Sequence, residues 1–285
     1  MCESSNGVAV RLTSMAHDPL AGHRVLGFDL ETTGFSPQNH RIIQYALIGC
    51  DESGEEVHLE SLINPQRDIP IESTRVHGIV EADVRGEDTF NVHVQTIADA
   101  MNGAVIVGHN IERFDWPFLK MEFTRAGALM PEPLAIIDTL TIARRLKLPR
   151  NHKLGTLCKR FDIPLVNAHT AAADAAATLA LLWEIIRRHP QPFRREVQDI
   201  PVWASGGGTG RTSSLGPDVD DLPVIPGSQG WLRRVESGLV IGRGRHRGRT
   251  VSDISTLDPA YISWLKSAAS PIDEGASQEL QRALK

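Results

Sequence analysis

Apolar residues fall into short runs of strand length near the start of the chain. Three such runs cover residues 24–30, 41–50 and 56–63, and each is bounded by polar or turn-forming residues. A turn from Asp51 to Gly54 separates the second run from the third and predicts an antiparallel hairpin. The pattern therefore predicts a three-stranded meander.

A buried strand followed by a helix is predicted next. Residues 104–108 contain only apolar residues and glycine, as in a strand that is covered on both faces. Asn110 follows this run and is predicted to be the N-cap of a helix. The apolar residues of that helix keep helical spacing: Ile111, Phe114 and Phe118.

One more strand and one long helix complete the main domain. The strand is predicted near residues 134–137, and the helix, rich in Ala, Leu and Ile, over residues 171–188, where Pro190 ends it. A meander followed by alternating helices and strands is typical of the α/β class. We therefore predict a mixed five-stranded sheet with helices on both faces, formed by residues 24–190.

The remaining residues predict two flexible segments and a second, smaller domain. Residues 1–23 show no periodicity and are predicted to be a disordered extension, in which Met15 is an alternative start. Residues 191–230 are predicted to be a flexible linker, because half of residues 201–230 are Gly, Pro or Ser. Residues 231–285 then predict a small α+β module with a short strand at 238–242, a basic turn and a helix.

Composition and charge add limits on location and partner. No stretch approaches the roughly 18 apolar residues needed to span a bilayer, and no signal peptide is evident at the start. Three cysteines without metal-site spacing also favour a cytoplasmic protein without a membrane partner. The net charge is −5, but residues 229–285 contain nine Lys and Arg against six Asp and Glu. The basic surplus therefore lies in the C-terminal module.

Four carboxylates are placed where folding alone gives little reason for them. Asp29 and Glu31 are two apart at the end of a predicted strand and so leave the same face. Asp115 lies in the first turns of a helix, and Asp174 lies within a nearly uncharged helix. Each has an ordinary alternative, such as a solvated strand end or a favourable helix-dipole position. Carboxylates that are buried together instead indicate a cation, and oxygen ligands favour Mg²⁺ or Mn²⁺.

One histidine accompanies these carboxylates. His169 lies five positions before Asp174, just ahead of the predicted helix start at Thr170 or Ala171. In a continuous helix the two side chains would diverge, whereas a loop lets His169 turn toward the same site. A histidine with a pKa near neutrality can take a proton from an attacking water. Two divalent ions about 4 Å apart would activate that water for phosphoryl displacement.

Three strings resemble the exonuclease motifs of the DnaQ-like (DEDDh) 3′→5′ exonuclease family: residues 28–34 (FDLETTG), 107–115 (VGHNIERFD) and 169–174 (HTAAAD). The resemblance covers residues 24–189. It implies a ribonuclease H-like fold, two divalent metal ions and release of nucleoside 5′-monophosphates from a 3′ end.

The same resemblance assigns roles to single residues. It implies that Asp29, Glu31, Asp115 and Asp174 are the metal ligands and that His169 is the general base. It also implies that the backbone around Thr32 holds the terminal nucleotide and that Phe35 wedges against the last bases. Leu or Met is common at that wedge, so Phe35 is a departure, and core packing is its alternative role.

The basic turn of the C-terminal module is a second candidate for substrate contact. Its arginines are Arg245, Arg247 and Arg249, with Gly244 and Gly248 between and around them. Guanidinium groups match phosphate oxygens, so the turn is predicted to bind nucleic acid. The alternative is a solvated turn over an aromatic core. The module resembles the C-terminal domain of exodeoxyribonuclease X-like proteins, although Arg243 stands where those proteins carry phenylalanine.

The sequence therefore predicts a Mg²⁺-dependent exonuclease that trims single-stranded or frayed 3′ ends of DNA in repair or replication. An RNA exonuclease and a proofreading subunit bound to a DNA polymerase remain as alternatives. A nucleic-acid-binding protein without activity is disfavoured, because no ligand and no histidine of the motifs has been lost.

Overall fold

The computed structural model describes residues 18–166, 168–206, 219, 222–235, 238–244, 246–267 and 269–284. These residues divide into two compact units. Residues 20–184 and 197–206 belong to the first unit. Residues 18, 19 and 185–196 and the described residues from 219 onwards belong to the second.

A mixed five-stranded sheet forms the centre of the first unit, with the strand order β3-β2-β1-β4-β5. The first three strands pair antiparallel, whereas β1, β4 and β5 run parallel to one another. This arrangement confirms the predicted meander, hairpin and mixed sheet. The strands are β1 (Val25–Thr32), β2 (Ile42–Cys50), β3 (Glu56–Leu62), β4 (Val105–Gly108) and β5 (Ala135–Asp138).

Eight α-helices follow or separate these strands in the described part of the chain up to residue 206. Three of them lie between β3 and β4, where the apolar pattern predicted no element. The longest of them is the last helix before the predicted linker. The helices are α1 (Ile71–His77), α2 (Glu81–Val84), α3 (Phe90–Met101), α4 (Asp115–Arg125), α5 (Thr139–Arg145), α6 (Leu154–Arg160), α7 (Ala171–Arg188) and α8 (Asp199–Ala204).

The two faces of β1 contact different helices, because successive side chains of a strand point to opposite faces. Leu26 and Phe28 are fully buried in a core that contains residues of α3 and α4, including Phe90 and Phe118. Gly27 faces the other way, toward α7. Helices therefore lie on both faces of the sheet, as predicted, and Asp29 and Glu31 share the α7 face.

The start of α4 differs from the prediction. The helix begins at Asp115, and Asn110 is not its N-cap. Asn110 has a left-handed backbone (φ 70°), whereas an N-cap residue needs an extended one. Its N–H donates a hydrogen bond to Oδ1 of Asp138. Ile111 is still fully buried, so the apolar spacing reflected burial in a turn and not a helix.

Residues 191–206 are folded where the composition predicts a linker. A 3₁₀ turn covers Gln191–Phe193, and α8 follows it. Phe193, Ile200 and Trp203 are buried, which explains why these residues take a fixed structure. Residues 207–218, 220 and 221 of the predicted linker, and residues 1–17 of the predicted extension, lie outside the described residues.

The second unit contains a two-stranded hairpin and three further helices around its own core. Asp258 caps the second of these helices by accepting a hydrogen bond from the N–H of Tyr261, so the predicted helix start is confirmed. The core contains Leu232, Ile241 and Leu265. The elements are β6 (Leu232–Val235), β7 (Gly238–Ile241), α9 (Val251–Leu257), α10 (Pro259–Leu265) and α11 (Glu274–Ala283).

Among the helices that the structure describes, none combines the length and the apolar content that crossing a bilayer requires.

Candidate active site

Three of the predicted carboxylates meet on the α7 face of the sheet. Asp29 and Glu31 project from the end of β1, and Asp174 projects from the first turn of α7. One oxygen from each carboxylate lies within 4.8 Å of the others. Residues that are 145 positions apart in the sequence are thus brought to one point by packing of α7 on β1.

Asp115 approaches this group from the N-terminus of α4. It is 3% exposed, and backbone N–H groups of Asp115 and Leu30 form hydrogen bonds to its carboxylate. Burial nevertheless raises the pKa of Asp115 to about 8. The repulsion between Asp115 and Asp29 contributes to the raised pKa of Asp29, so the fourth predicted ligand belongs to the same electrostatic cluster.

The pKa values of the other carboxylates are raised for the same physical reasons. Burial, followed by the charges of Asp115, Asp174 and Glu31, raises the pKa of Asp29 well above its usual value. Burial and the charges of Asp174 and Asp115 raise the pKa of Glu31 to about 8. Burial also raises the pKa of Asp174. Four carboxylates that repel one another at neutral pH require either protons or a cation.

The residues fit a divalent cation. Oδ1 of Asp174 is buried and has no hydrogen-bond partner among the described residues, which is costly for a carboxylate oxygen. All of the donors are carboxylate oxygens, the ligands that Mg²⁺ and Mn²⁺ prefer. A cation bound by Asp29, Glu31 and Asp174 would satisfy the buried oxygen and cancel the mutual repulsion.

His169 lies in the turn before α7, as predicted. Its backbone is left-handed (φ 71°) and its side chain is exposed. Its backbone N–H donates to Oδ2 of Asp174 at 3.4 Å, and this hydrogen bond, followed by the charge of His169, offsets part of the rise that burial causes in the pKa of that aspartate. The histidine is therefore held beside the carboxylate cluster while its ring remains accessible to solvent. Its neighbour Asn167 lies outside the described residues.

Two positions that the sequence analysis missed hold α7 in place. Gly27 has no side chain where a Cβ would lie only 2.3 Å from the carbonyl oxygen of Ala175. Gln44, which pairs with Glu31 across the sheet, accepts the N–H of Ala171 with Oε1. Both contacts fix the first turns of α7, from which Asp174 projects. A glycine within a strand was the one available signal for this close approach.

The turn after Glu31 presents an aromatic side chain to solvent. The hydroxyl of Thr32 donates to the carbonyl oxygen of Gly34 at 2.7 Å and so stabilises the turn. Phe35 is 87% exposed, and the centroid of its ring lies 6.3 Å from that of Phe114. This exposure excludes core packing as the role of Phe35, and its predicted contact with bases stays a prediction.

A buried ion pair braces the loop that follows Phe35. Glu122 is 1% exposed, and its Oε1 accepts from Arg41 at 2.6 Å and from Arg125 at 3.0 Å. The sequence did not indicate this brace, because Arg41 lies more than 80 positions before Glu122 and Arg125. The guanidinium of Arg125 also donates to three carbonyl groups of the loop, those of Pro37, Gln38 and His40.

The predicted arginines of the basic turn belong to the second unit. Arg245 lies outside the described residues. Arg247 is half-buried and its Nη1 donates to Oε1 of Gln191 at 3.4 Å. Burial, and then the charges of Arg188 and Arg187, lower the pKa of Arg249 to about 10. Positive charge is therefore concentrated around Arg249, although its contact with phosphate stays a prediction.

The aromatic residues beneath this turn belong to the core of the second unit. Tyr261 is 7% exposed and packs against Trp264, which in turn contacts Trp231 edge to face. The hydroxyl of Tyr261 donates to the carbonyl oxygen of Arg243. Tyr261 is thus part of the core of this unit and is not available to stack on bases.

Comparison with known proteins places the first unit among nucleases. The sequence pattern of the RNase_T exonuclease family matches residues 26–182, more than half of the chain. The chain is 34% identical over 174 residues to the PolC-type DNA polymerase III of Halalkalibacterium halodurans, which covers 60% of this chain and 12% of the polymerase. It is 36% identical over 167 residues to that of Oceanobacillus iheyensis, with coverage of 56% and 11%. The match thus spans only about an eighth of these curated relatives.

A solved structure shows the same architecture. Exonuclease I of E. coli in complex with a dT13 oligonucleotide has a TM-score of 0.53 and 23% identity, covering 59% of this chain and 42% of that one. At this identity the likeness concerns the fold alone. It confirms the ribonuclease H-like α/β fold that the motifs imply. The family match ends at residue 182, so the resemblance of the C-terminal module stays a prediction.

Proposed function

Because this chain belongs to the RNase_T exonuclease family, we propose that it is a 3′→5′ exodeoxyribonuclease that releases nucleoside 5′-monophosphates. The main support for this proposal is the geometry of the carboxylates. Oxygens of Asp29, Glu31 and Asp174 lie within 4.8 Å of one another, and Oδ1 of Asp174 has no partner among the described residues. Such an arrangement is costly unless a cation is bound.

The proposed cofactor is a pair of Mg²⁺ ions, for which Mn²⁺ can substitute. Asp29, Glu31, Asp115 and Asp174 would hold them. When bound, these ions supply a nucleophile at neutral pH and neutralise the charge that develops on the phosphate. The chain supplies a partly buried group of carboxylate oxygens. Bound cations would keep these carboxylates ionised at neutral pH.

His169 is the proposed general base. Its ring is exposed beside the cluster and its backbone is anchored to Asp174, so it can reach a water that approaches the phosphate from solvent. A neutral imidazole can accept the proton of that water and later return it to solvent. The left-handed backbone of His169 keeps the residue outside α7, where it would otherwise point away from the cluster.

The turn after β1 is proposed to hold the 3′-terminal nucleotide. The hydroxyl of Thr32 is used within the turn, which leaves backbone groups around it for the substrate. Phe35 is exposed, and the loop that follows it is held by hydrogen bonds from Arg125. An exposed aromatic side chain next to an ordered loop is suited to stack on bases or to wedge between them. Arg245, Arg247 and Arg249 would contact backbone phosphates.

DNA is the proposed substrate because the matched relatives are DNA polymerases. A cytoplasmic location and a role in DNA repair or replication belong to the same proposal. Digestion of 3′-labelled single-stranded DNA, duplex DNA and RNA of one sequence tests it, with Mg²⁺, Mn²⁺ or EDTA. We expect single-stranded or frayed DNA to be cut fastest with Mg²⁺ and no strand to be cut in EDTA. Faster digestion of RNA would contradict the choice of DNA.

A second candidate is an editing subunit that acts with a DNA polymerase, because the matched segment in the relatives belongs to polymerase chains. A mispaired primer terminus distinguishes the two functions. An editing subunit should accelerate removal of the mispaired nucleotide when replicative polymerase is added, whereas a free exonuclease should cut at the same rate with and without it.

A further inference from the structure

One region of the first unit contains basic residues and no acidic ones. Residues 139–161 contain seven Lys and Arg and no Asp or Glu, within a chain of net charge −5. We call residues 144–160, from the last turn of α5 through α6, the basic segment. Its charged residues are Arg144, Arg145, Lys147, Arg150, Lys153, Lys159 and Arg160.

Six of these seven side chains are exposed, and Arg160 alone is half-buried. Within the described ranges, none of the six forms an ion pair with a carboxylate. A surface that only keeps a protein in solution intersperses both signs of charge. Cations of one sign without partners instead create a field that attracts a polyanion.

The backbone of the basic segment has a fixed shape. The N–H of Leu148 donates to the carbonyl oxygen of Ala143, and the His152 ring bonds to the carbonyl oxygen of Leu148 at 2.8 Å. The guanidinium of Arg160 donates to the carbonyl oxygens of Pro149 and Arg150. Because the loop is already ordered, a ligand would bind it without the entropic cost of ordering it.

Hydrogen bonds connect the basic segment to the loop that precedes Asp115. Nε2 of His109 lies 2.9 Å from the carbonyl oxygen of His152. Because a carbonyl oxygen only accepts, Nε2 must carry a proton. Nδ1 of the same ring lies 2.8 Å from the hydroxyl of Thr139, at the start of α5. The side chain of Asp138 caps α5 and also accepts the N–H of Asn110. The basic segment is therefore hydrogen-bonded to the loop that leads into Asp115, in the same unit as the carboxylate cluster.

We propose that the basic segment binds the sugar–phosphate backbone of the nucleic acid whose 3′ end occupies the carboxylate cluster. This inference rests on the proposed function and names a substrate-binding surface that its catalytic groups do not include. The exposed ammonium and guanidinium groups neutralise successive phosphates and read no sequence. The binding should therefore depend strongly on salt and little on base composition.

The test compares two double variants that remove the same charges. One is Lys147→Gln with Arg150→Gln in the basic segment. The matched control is Lys120→Gln with Arg85→Gln, two exposed residues outside it. Binding of a fluorescein-labelled 20-nucleotide DNA strand is measured by anisotropy in EDTA between 50 and 300 mM salt, so that no strand is cut. Melting temperatures confirm that all of the proteins are folded.

We expect the segment variant to bind about tenfold more weakly at physiological salt, and its plot of log Kd against log salt to lose about 1.4 of its slope. The control variant should bind like the unmodified chain. Equal affinity and equal slope for the two variants would overturn the inference.

A second readout separates this inference from the proposed function. The p-nitrophenyl ester of thymidine 5′-monophosphate carries one phosphate and reaches the carboxylate cluster alone. Both variants should hydrolyse it with Mg²⁺ at the rate of the unmodified chain. A segment variant that lost this activity would overturn the inference, because the residues would then act in the cluster. Failure of the unmodified chain to cut any substrate would refute the proposed function, while the anisotropy result would still decide the inference.

Discussion

Asp174 shows how one residue can be unfavourable for folding and useful for chemistry. Its Oδ1 is buried without a partner among the described residues, and burial raises its pKa. The sequence alone indicated this position, because an aspartate within an Ala- and Leu-rich helix lacks a nearby Lys or Arg. It could not indicate Gln44 or Arg125, whose roles depend on contacts between distant residues.

The first prediction concerns the pH dependence of stability without metal. The pKa of Glu31 is raised to about 8 in the folded chain, against about 4.3 in an unfolded one. The folded state therefore retains a proton that the unfolded state releases, so the free energy of unfolding falls as the pH rises through this interval. In EDTA, melting temperature should fall more between pH 5 and 8 for the unmodified chain than for Glu31→Gln.

Addition of Mg²⁺ provides the internal control for this prediction. The cation should raise the melting temperature of the unmodified chain, and the increase should be larger at pH 8 than at pH 5. If the melting temperatures of the two proteins in EDTA depended on pH in the same way, the pKa of Glu31 would not be raised in the folded chain.

The second prediction separates the base from the ligands. His169→Gln should lower kcat by about 10²- to 10⁴-fold, the usual contribution of a general base, because the amide of glutamine cannot accept the proton of the water. Its affinity for Mn²⁺, measured by calorimetry, should stay close to that of the unmodified chain. A large loss of Mn²⁺ affinity would mean that His169 is a ligand.

At the scale of elements, the contact between β1 and α7 sets the site. The sequence predicted both elements and the mixed sheet, because apolar periodicity is a local property. It did not predict the close approach at Gly27 or the three helices between β3 and β4. It also gave Asn110 as a helix cap, where the chain makes a left-handed turn before α4. The pattern showed which residues are buried and not which backbone conformation buries them.

The third prediction tests this contact. A Cβ at Gly27 would lie 2.3 Å from the carbonyl oxygen of Ala175, so Gly27→Ala must displace α7. We expect a loss of about 1 to 3 kcal/mol in the free energy of unfolding and a fall in kcat, because Asp174 moves with the helix. Gly86→Ala is the control, since a Cβ there meets nothing within 4 Å. If urea denaturation gave equal stabilities for the two variants, α7 would not be held by this contact.

At the scale of the whole molecule, charge is distributed in blocks that the net value hides. In the sequence, a basic surplus is evident in residues 229–285. Averaging over the rest of the chain concealed the basic segment, because the acidic residues elsewhere outnumber it. The structure separates these contributions by showing which side chains are exposed and which are paired.

The fourth prediction concerns the basic turn of the second unit. Arg247→Gln with Arg249→Gln should weaken binding of single-stranded DNA and reduce its salt dependence, because phosphate neutralisation is lost. Arg234→Gln with Arg282→Gln removes the same charge from residues that pair with Glu279, and serves as the control. Binding that is equal in both variants would indicate that the turn contacts a protein partner or solvent.

The most direct test of the central claim follows both ends of one DNA strand during digestion. A single-stranded oligonucleotide carries a radioactive phosphate at its 5′ end and a fluorescent nucleotide at its 3′ end. With Mg²⁺ the fluorescent label should leave first as a nucleoside 5′-monophosphate, while the 5′-labelled product shortens one nucleotide at a time. Asp174→Asn should slow this release by about a thousandfold, as expected for loss of a metal ligand. Internal fragments, release of the 5′ label first, or an unchanged rate for Asp174→Asn would contradict the account.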